Sequence, residues 1–240
     1  MPGTPKLVIA ATTPELVEAA AAHLRQAAAA AVAARGRFRI ALAGGSTPRA
    51  LYPLLAQGID WTRAQIFFGD ERAVPPDDAA SNYRMARETL LEPARVPAAN
   101  VVRWRGEDAD LETVARDYAA ALTAGASPPW LDLALLGLGP DGHTASLFPG
   151  TAVLKEESRL AAAVESPQKG TRRLTLTYPA LCGAREVAFL VTGHDKAPAL
   201  AAVVRGDDLP AAPIVRRDGG PVTIFCDRAA AAALPPEGAR

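Results

Sequence analysis

The chain has 240 residues, 49% of them hydrophobic, and its 26 lysines and arginines are balanced by 26 aspartates and glutamates. That length can bury a large core, read here as one α/β domain over residues 1–240. Zero net charge leaves no basic field for nucleic acid or an acidic membrane, so any anion binding has to be local. The two cysteines form neither a disulfide framework nor a zinc motif, the N-terminus lacks the long apolar region of a signal peptide, and no apolar stretch is long enough to span a bilayer, which together predict a cytoplasmic protein.

In chain order, "KLVIAA" (Lys6 to Ala11) reads as a buried strand, and Thr13 as the cap of a helix with Pro14 in its first position and Gly36 just past its end. Leu16, Ala20, Leu24, Ala27 and Ala31 recur at helical spacing in between, and alanine is the best helix former, so this segment is a packed helix. "RFRIALA" (Arg37 to Ala43) is a second strand, followed by a helix from Pro48 to about Gln57, a third strand "AQIFFGD" (Ala64 to Asp70) and a helix from Ser81 to Leu91 capped by Ser81. "NVVRW" predicts a short strand, "ADLETVARDYAAAL" a helix, and "WLDLALLGL" (Trp130 to Leu138) an apolar strand buried on both faces. "RLAAAVE", "RRLTLTY" and "REVAFLVTG" look strand-like, "DKAPALAAVVRG" helical, "PVTIFCD" a closing strand, and the tail "PPEGAR" frayed. Strand–helix alternation predicts a mostly parallel sheet with helices on both faces, a three-layer sandwich whose ligands bind beyond the C-terminal strand ends.

The loops at such ends are the candidates for chemistry. In "ALAGGSTPRA", Gly44 and Gly45 admit close backbone approach, and Thr47 caps a helix with Pro48 in its first position, whose free N–H groups attract phosphate; an ordinary strand-to-helix turn with a good cap is the plain alternative. In "GDERAVPPDDAASNYR", Arg72 suits a two-pronged contact with phosphate or carboxylate, and a solvated charged edge is the alternative. "LLGLGPDGHTASLFPG" contains the dinucleotide-binding spelling G-x-G-x-x-G at Gly137, Gly139 and Gly142, yet Pro149 and Gly150 cut short the helix that a pyrophosphate cradle needs. The glycines then serve a turn presenting Asp141 and His143, two residues apart: the carboxylate binds one ring nitrogen and the other is free to take a proton, a task to which histidine is suited. A His143 that only satisfies loop backbone is the plain alternative, and His23 and His194 are read that way. Arg172, Arg173 and Lys196 stand beside strand ends, where they could join Arg72 around an anion or remain surface charges.

Taken together, "AGGSTPRALY", "FFGDERAVPPDDAASNYRMARETLL", "LDLALLGLGPDGHTASLFPG", "RRLTLTYPAL" and "VTGHDKAPAL" resemble the 6-phosphogluconolactonase family, in the family's order, over most of the chain from about Ile40 to Leu200. The resemblance implies a Rossmann-like α/β fold and hydrolysis of 6-phospho-D-glucono-1,5-lactone to 6-phosphogluconate in the oxidative pentose phosphate pathway, without metal or organic cofactor. It implies His143 as the general base, Asp141 as its orienting partner, and Gly44, Gly45, Ser46, Thr47, Arg72, Arg173 and Lys196 around the sugar phosphate, with Arg173 matching the family arginine better than Arg172. The partner implied is a small-molecule sugar-phosphate lactone, with no nucleic acid and no membrane, bound by a monomer or small homo-oligomer. The related glucosamine-6-phosphate isomerases/deaminases pair their histidine with a glutamate where this chain has Phe148, and have D-E-Y where it has Asp70-Glu71-Arg72. That enzyme type, and a non-catalytic sugar-phosphate-binding protein, are the competing readings. Tyr178 and Cys182 depart from the lactonase pattern, which more usually has leucine and asparagine there.

Overall fold

A computed structural model describes residues 3–167 and 171–235. Its strands are β1 (Lys6–Ala10), β2 (Phe38–Leu42), β3 (Ala64–Phe68), β4 (Asp70–Arg72), β5 (Leu133–Gly137), β6 (Ala161–Glu165), β7 (Arg172–Leu176), β8 (Glu186–Val191) and β9 (Val222–Asp227). Six of them form a wholly parallel sheet in the order β1-β9-β8-β5-β2-β3, and β4, β7 and β6 form a second, antiparallel sheet. The helices are α1 (Thr13–Arg35), α2 (Ser46–Leu55), α3 (Asn82–Ala86), α4 (Leu111–Thr123), α5 (Tyr178–Cys182), α6 (Ala197–Arg205) and α7 (Ala212–Val215). The near-continuous apolar runs of β2, β5 and β8 are buried almost throughout, as central parallel strands covered on both faces must be. No helix among the described residues is long and apolar enough to cross a membrane.

Several local expectations change. β1 is an edge strand paired only with β9, so it is half-exposed and Ile9 keeps 48% of its surface in water. The cap of α1 is Thr12, whose hydroxyl accepts from the Glu15 N–H, while the Thr13 hydroxyl donates to Asp227 at the end of β9. Gly36 ends α1 in the left-handed conformation at φ 76°, as expected of a glycine just past a helix. α2 starts two residues before Pro48, with Gly45 at its cap position, so Thr47 does not cap it; its hydroxyl pairs at 2.7 Å with that of Thr192. The helix capped by Ser81 runs as α3 and continues through a π-helical turn, Arg87–Leu91. "NVVRW" forms no strand: Val101 makes one isolated bridge to Ile66, and Trp104 turns inward, stacked on Tyr118 with its Nε1 donating to the Phe68 carbonyl. The tail expected to fray lies outside the described residues from 236 on.

The largest difference lies after β3, where the sequence reads as one strand through Asp70. Gly69 ends it instead by bonding both sheets, donating to the Leu42 carbonyl of β2 and accepting from the Leu176 N–H of β7, each at 2.8 Å. The chain thereby steps into the small sheet, and β4 pairs with β7 so that Asp70 faces Thr175, Glu71 faces Leu174 and Arg72 faces Arg173. Period-two alternation cannot reveal which sheet a strand joins, so this crossing was not legible in the pattern.

Candidate active site

At the C-terminal end of β5 the chain turns tightly, with the Gly139 N–H donating to the His143 carbonyl and the Gly142 N–H to the Gly139 carbonyl. Gly142 takes φ 79°, a backbone region costly for other residues, and its carbonyl accepts from the Ala211 N–H behind it. Gly139 serves a different need: a Cβ there would stand 2.1 Å from His143 Nδ1 and 2.7 Å from Asp141 Oδ1. A Cβ at Gly137 would meet nothing within 4 Å. Gly142 therefore closes the turn and Gly139 admits the imidazole. No helix follows them; Ala145 adopts φ 48° and Leu147 closes a single turn onto the Thr144 carbonyl.

Asp141 Oδ1 lies 2.5 Å from His143 Nδ1 and also accepts the His143 backbone N–H. Partial burial pushes the Asp141 carboxyl up, but the hydrogen bonds and charge of His143 outweigh it and hold the carboxyl below its usual range. An ionised carboxylate only accepts, so Nδ1 is the protonated nitrogen and Nε2 is the one that can take a proton. The Phe148 ring packs against the imidazole with centroids 4.8 Å apart. Tyr178, one of the two departures from the family pattern, donates its hydroxyl to the Pro210 carbonyl in the segment that buttresses Gly142; burial pushes its pKa up to about 12.

His143 lines a cleft of about 250 Å³ together with Gly44, Gly45, Arg72 and Lys196. Gly45, at φ 105°, turns the chain into α2, and the buried Tyr52 hydroxyl donates to the Ala43 carbonyl behind this loop. Of the other expected residues, Ser46 is exposed in the first turn of α2 and Thr47 is buried there, neither of them lining the cleft wall. Arg173 sits directly across the β4–β7 pair from Arg72. Burial, then the neighbouring Arg72 charge, lower its pKa, against the pull of Asp70 and Glu71. Two guanidinium groups on facing strands favour a shared anion. Arg172 instead pairs with Glu165 at 3.2 Å. Lys196 reaches the cleft from the 3₁₀ turn His194–Lys196, with its Nζ 2.7 Å from Asp195. His194 is exposed beside it, and His23 pairs with Glu186 at 2.5 Å, away from the cleft. Among the described residues, no three histidine, cysteine or acidic side chains stand together as a metal site.

Asp70 and Asn82 are among the cleft residues that the sequence did not reveal. The buried Asn82 amide accepts from Arg72 Nη1 at 2.5 Å and donates to both the carbonyl and Oδ1 of Asp70. An amide serves a cation through its oxygen and a carboxylate through its nitrogen at once. It sits so close to Gly44 that a Cβ there would stand 2.0 Å from Asn82 Oδ1. Beneath it, Glu71 is buried and accepts from the N–H groups of Arg72, Asn82 and Tyr83 and from the Ser81 hydroxyl. The acidic "DE" before Arg72 was the available signal, but it reads equally well as a solvated edge.

The family model for glucosamine-6-phosphate isomerases/6-phosphogluconolactonase matches residues 11–224. The 6-phosphogluconolactonase of Mycobacterium tuberculosis is 42% identical over 233 residues, covering 92% of this chain and 94% of that protein. The solved structure of 6-phosphogluconolactonase from Trypanosoma cruzi superposes with a TM-score of 0.85 at 32% identity, covering 98% of each chain. A monomeric glucosamine-6-phosphate deaminase superposes with a TM-score of 0.83 at 20% identity, covering 95% of this chain and 99% of that one, a likeness of fold alone.

Proposed function

We propose that this chain, which belongs to the glucosamine-6-phosphate isomerase/6-phosphogluconolactonase family, hydrolyses 6-phospho-D-glucono-1,5-lactone to 6-phosphogluconate in the oxidative pentose phosphate pathway. It acts in the cytoplasm without metal or organic cofactor. The observation that carries the reading is the Asp141–His143 pair, 2.5 Å apart, on a cleft that also presents Arg72 and Lys196. His143 Nε2 removes a proton from water as the water oxygen attacks C1 of the lactone. Asp141 accepts the Nδ1–H and stabilises the imidazolium. The tetrahedral intermediate collapses with cleavage of the C1–O5 bond, and the imidazolium returns its proton to O5, which leaves as the C5 hydroxyl. The Ala145 backbone, held at φ 48° beside the base, is the donor we assign to the oxyanion. A lactone is an activated ester, so no covalent nucleophile is needed, and a positioned base contributes a factor of roughly 10²–10⁴.

The 6-phosphate is held by Arg72, Arg173 and Lys196 and by the Gly44, Gly45, Ser46 and Thr47 backbone at the start of α2. Thr47 acts through its N–H, since its hydroxyl is bonded to Thr192. Arg173 is preferred to Arg172 because it stands directly across the β4–β7 pair from Arg72. Phe148 against His143 disfavours the amino-sugar isomerase reading, because a hydrocarbon ring relays no proton. The test is the initial rate of acid release from 6-phosphogluconolactone, measured over the uncatalysed background. Wild-type protein accelerates it; His143→Ala loses roughly 10²–10⁴ of the rate and keeps its melting temperature. An unchanged rate in that variant removes His143 from the mechanism, and ammonia release from glucosamine 6-phosphate replaces the reading with the isomerase one.

A further inference from the structure

Asp70 is a carboxylate in a cleft otherwise furnished for an anion. It lines the cleft with Arg72 and Lys196, yet it forms no ion pair among the described residues, although Arg72 is two positions on and Arg173 is on the facing strand. Its Oδ1 accepts one hydrogen bond from Asn82 Nδ2 at 3.1 Å, and its Oδ2 accepts one from the Ser146 hydroxyl at 2.7 Å. A carboxylate has about four lone-pair sites, so about half of its accepting capacity is left open by the described residues. Ser146 belongs to the same loop as His143, and its N–H donates to the Thr175 hydroxyl on β7. Asp70 is thus fixed between the base loop and the arginines. A negative charge at that point repels phosphate, so a phosphate group belongs beyond it, with the arginines, and the stretch of ligand that crosses it must offer O–H donors.

We infer that Asp70 is a specificity-determining residue whose free lone pairs accept a ring hydroxyl of the substrate, selecting a polyhydroxylated phospholactone over a deoxygenated one. The inference rests on the lactonase reading above. A site that binds a hydroxyl through a buried polar group rejects the analogue lacking it, because the group is then left unpaired. The 2-deoxy, 3-deoxy and 4-deoxy analogues of 6-phosphogluconolactone test this when compared with the full substrate in kcat/KM. In wild-type protein at least one analogue falls by about 10- to 100-fold. In Asp70→Asn and Asp70→Ala, the full substrate slows and the penalty for that analogue shrinks to within about threefold, a coupling between the side chain and one hydroxyl. Ser146→Ala removes a hydrogen bond to Asp70 but leaves the carboxylate, so it preserves the penalty. Equal penalties in wild type and in whichever Asp70 variant folds, or no penalised analogue in wild type, overturn the inference and leave Asp70 a strut between loops. A wild-type protein that does not accelerate the full substrate overturns the lactonase reading instead.

Discussion

At the end of the cleft proposed to hold the base, the groups that hold His143 come from one stretch, Gly139 to Phe148, and the decisive contact spans two residues. At the end proposed to hold the anion, Gly44, Arg72, Asn82 and Lys196 come from several stretches of the chain, and the strand that leaves one sheet for another at Gly69 sets Arg72 across from Arg173, with the buried Glu71 anchoring Arg72 and Asn82. The base end is a local device on a partly exposed turn. The anion end is an assembly whose parts depend on the fold. Damage to the first should lower turnover and spare stability. Damage to the second should raise KM and, where it reaches the buried layer, reduce stability.

The strongest test of the local device leaves its imidazole in place. Gly139→Ala puts a methyl group 2.1 Å from the present position of Nδ1, and Gly139 is not among the glycines at positive φ, so the backbone tolerates alanine while the ring must move. A displacement on the order of 1 Å costs roughly 10²-fold, so kcat should fall by about that factor with an unchanged melting temperature. A large loss of stability would show that the turn is not local. Asp141→Asn comes next. The amide cannot hold the Nδ1–H tautomer as a carboxylate does, so kcat should drop by roughly 10- to 100-fold with KM nearly constant. Because the Asp141 carboxyl is held below its ordinary value, its hydrogen bonding stabilises the folded protein above the usual carboxylate range. That contribution is lost as pH falls through the lowered value. Acid denaturation of Asp141→Asn should accordingly be less steep than that of wild type.

Legibility followed the same division. The base end could be read because Pro149 denies a helix to the G-x-G-x-x-G turn and leaves Asp141 and His143 adjacent in sequence and in space. Arg72, Gly44, Gly45 and Lys196 were found through their positions at strand ends, and they do share one cleft. Asn82 escaped because an asparagine after a Ser81 cap looks like ordinary helix-start chemistry; its role appears only once Asp70, Arg72 and Gly44 converge on it. The small sheet escaped because β4 is three residues long and its partner lies a hundred positions away. Alternation gives the period of a strand and says nothing about its neighbour.

Arg172 and Arg173 allow the anion end to be tested between neighbours. They are consecutive in β7, so their side chains leave opposite faces, and Arg172 is committed to Glu165 while Arg173 faces Arg72. Arg173→Ala should raise KM for the phosphorylated lactone by about tenfold or more, as for a lost charge-assisted hydrogen bond, and leave the weak hydrolysis of an unphosphorylated lactone unchanged. Arg172→Ala should alter neither by more than about twofold. Identical effects of the two would remove the assignment of Arg173 to the phosphate.

Glu71 offers the smallest effect on turnover and the clearest effect on stability. It does not itself line the cleft, but it receives three backbone N–H groups, those of the cleft residues Arg72 and Asn82 among them, and the Ser81 hydroxyl. Burial pushes its carboxyl up, against the downward pull of the Asn82, Tyr83 and Arg72 N–H groups. A folded-state value above the unfolded one means that Glu71 favours folding most at low pH, and that this contribution is lost as pH rises through the raised value. Its sign is opposite to that of Asp141. Glu71→Gln places an amide N–H₂ among donors, leaving at least one buried donor unpaired, so stability should fall by about 1–3 kcal/mol, read by denaturant unfolding at neutral pH. In the same variant the loss of stability on raising pH through the Glu71 transition should vanish. Turnover should change only a few-fold, because Asn82 and Arg72 still meet, while KM rises as the loop that carries them loosens. If Glu71→Gln instead abolished turnover with stability intact, the buried layer would belong to the chemistry and the contrast between the two ends of the cleft would fail.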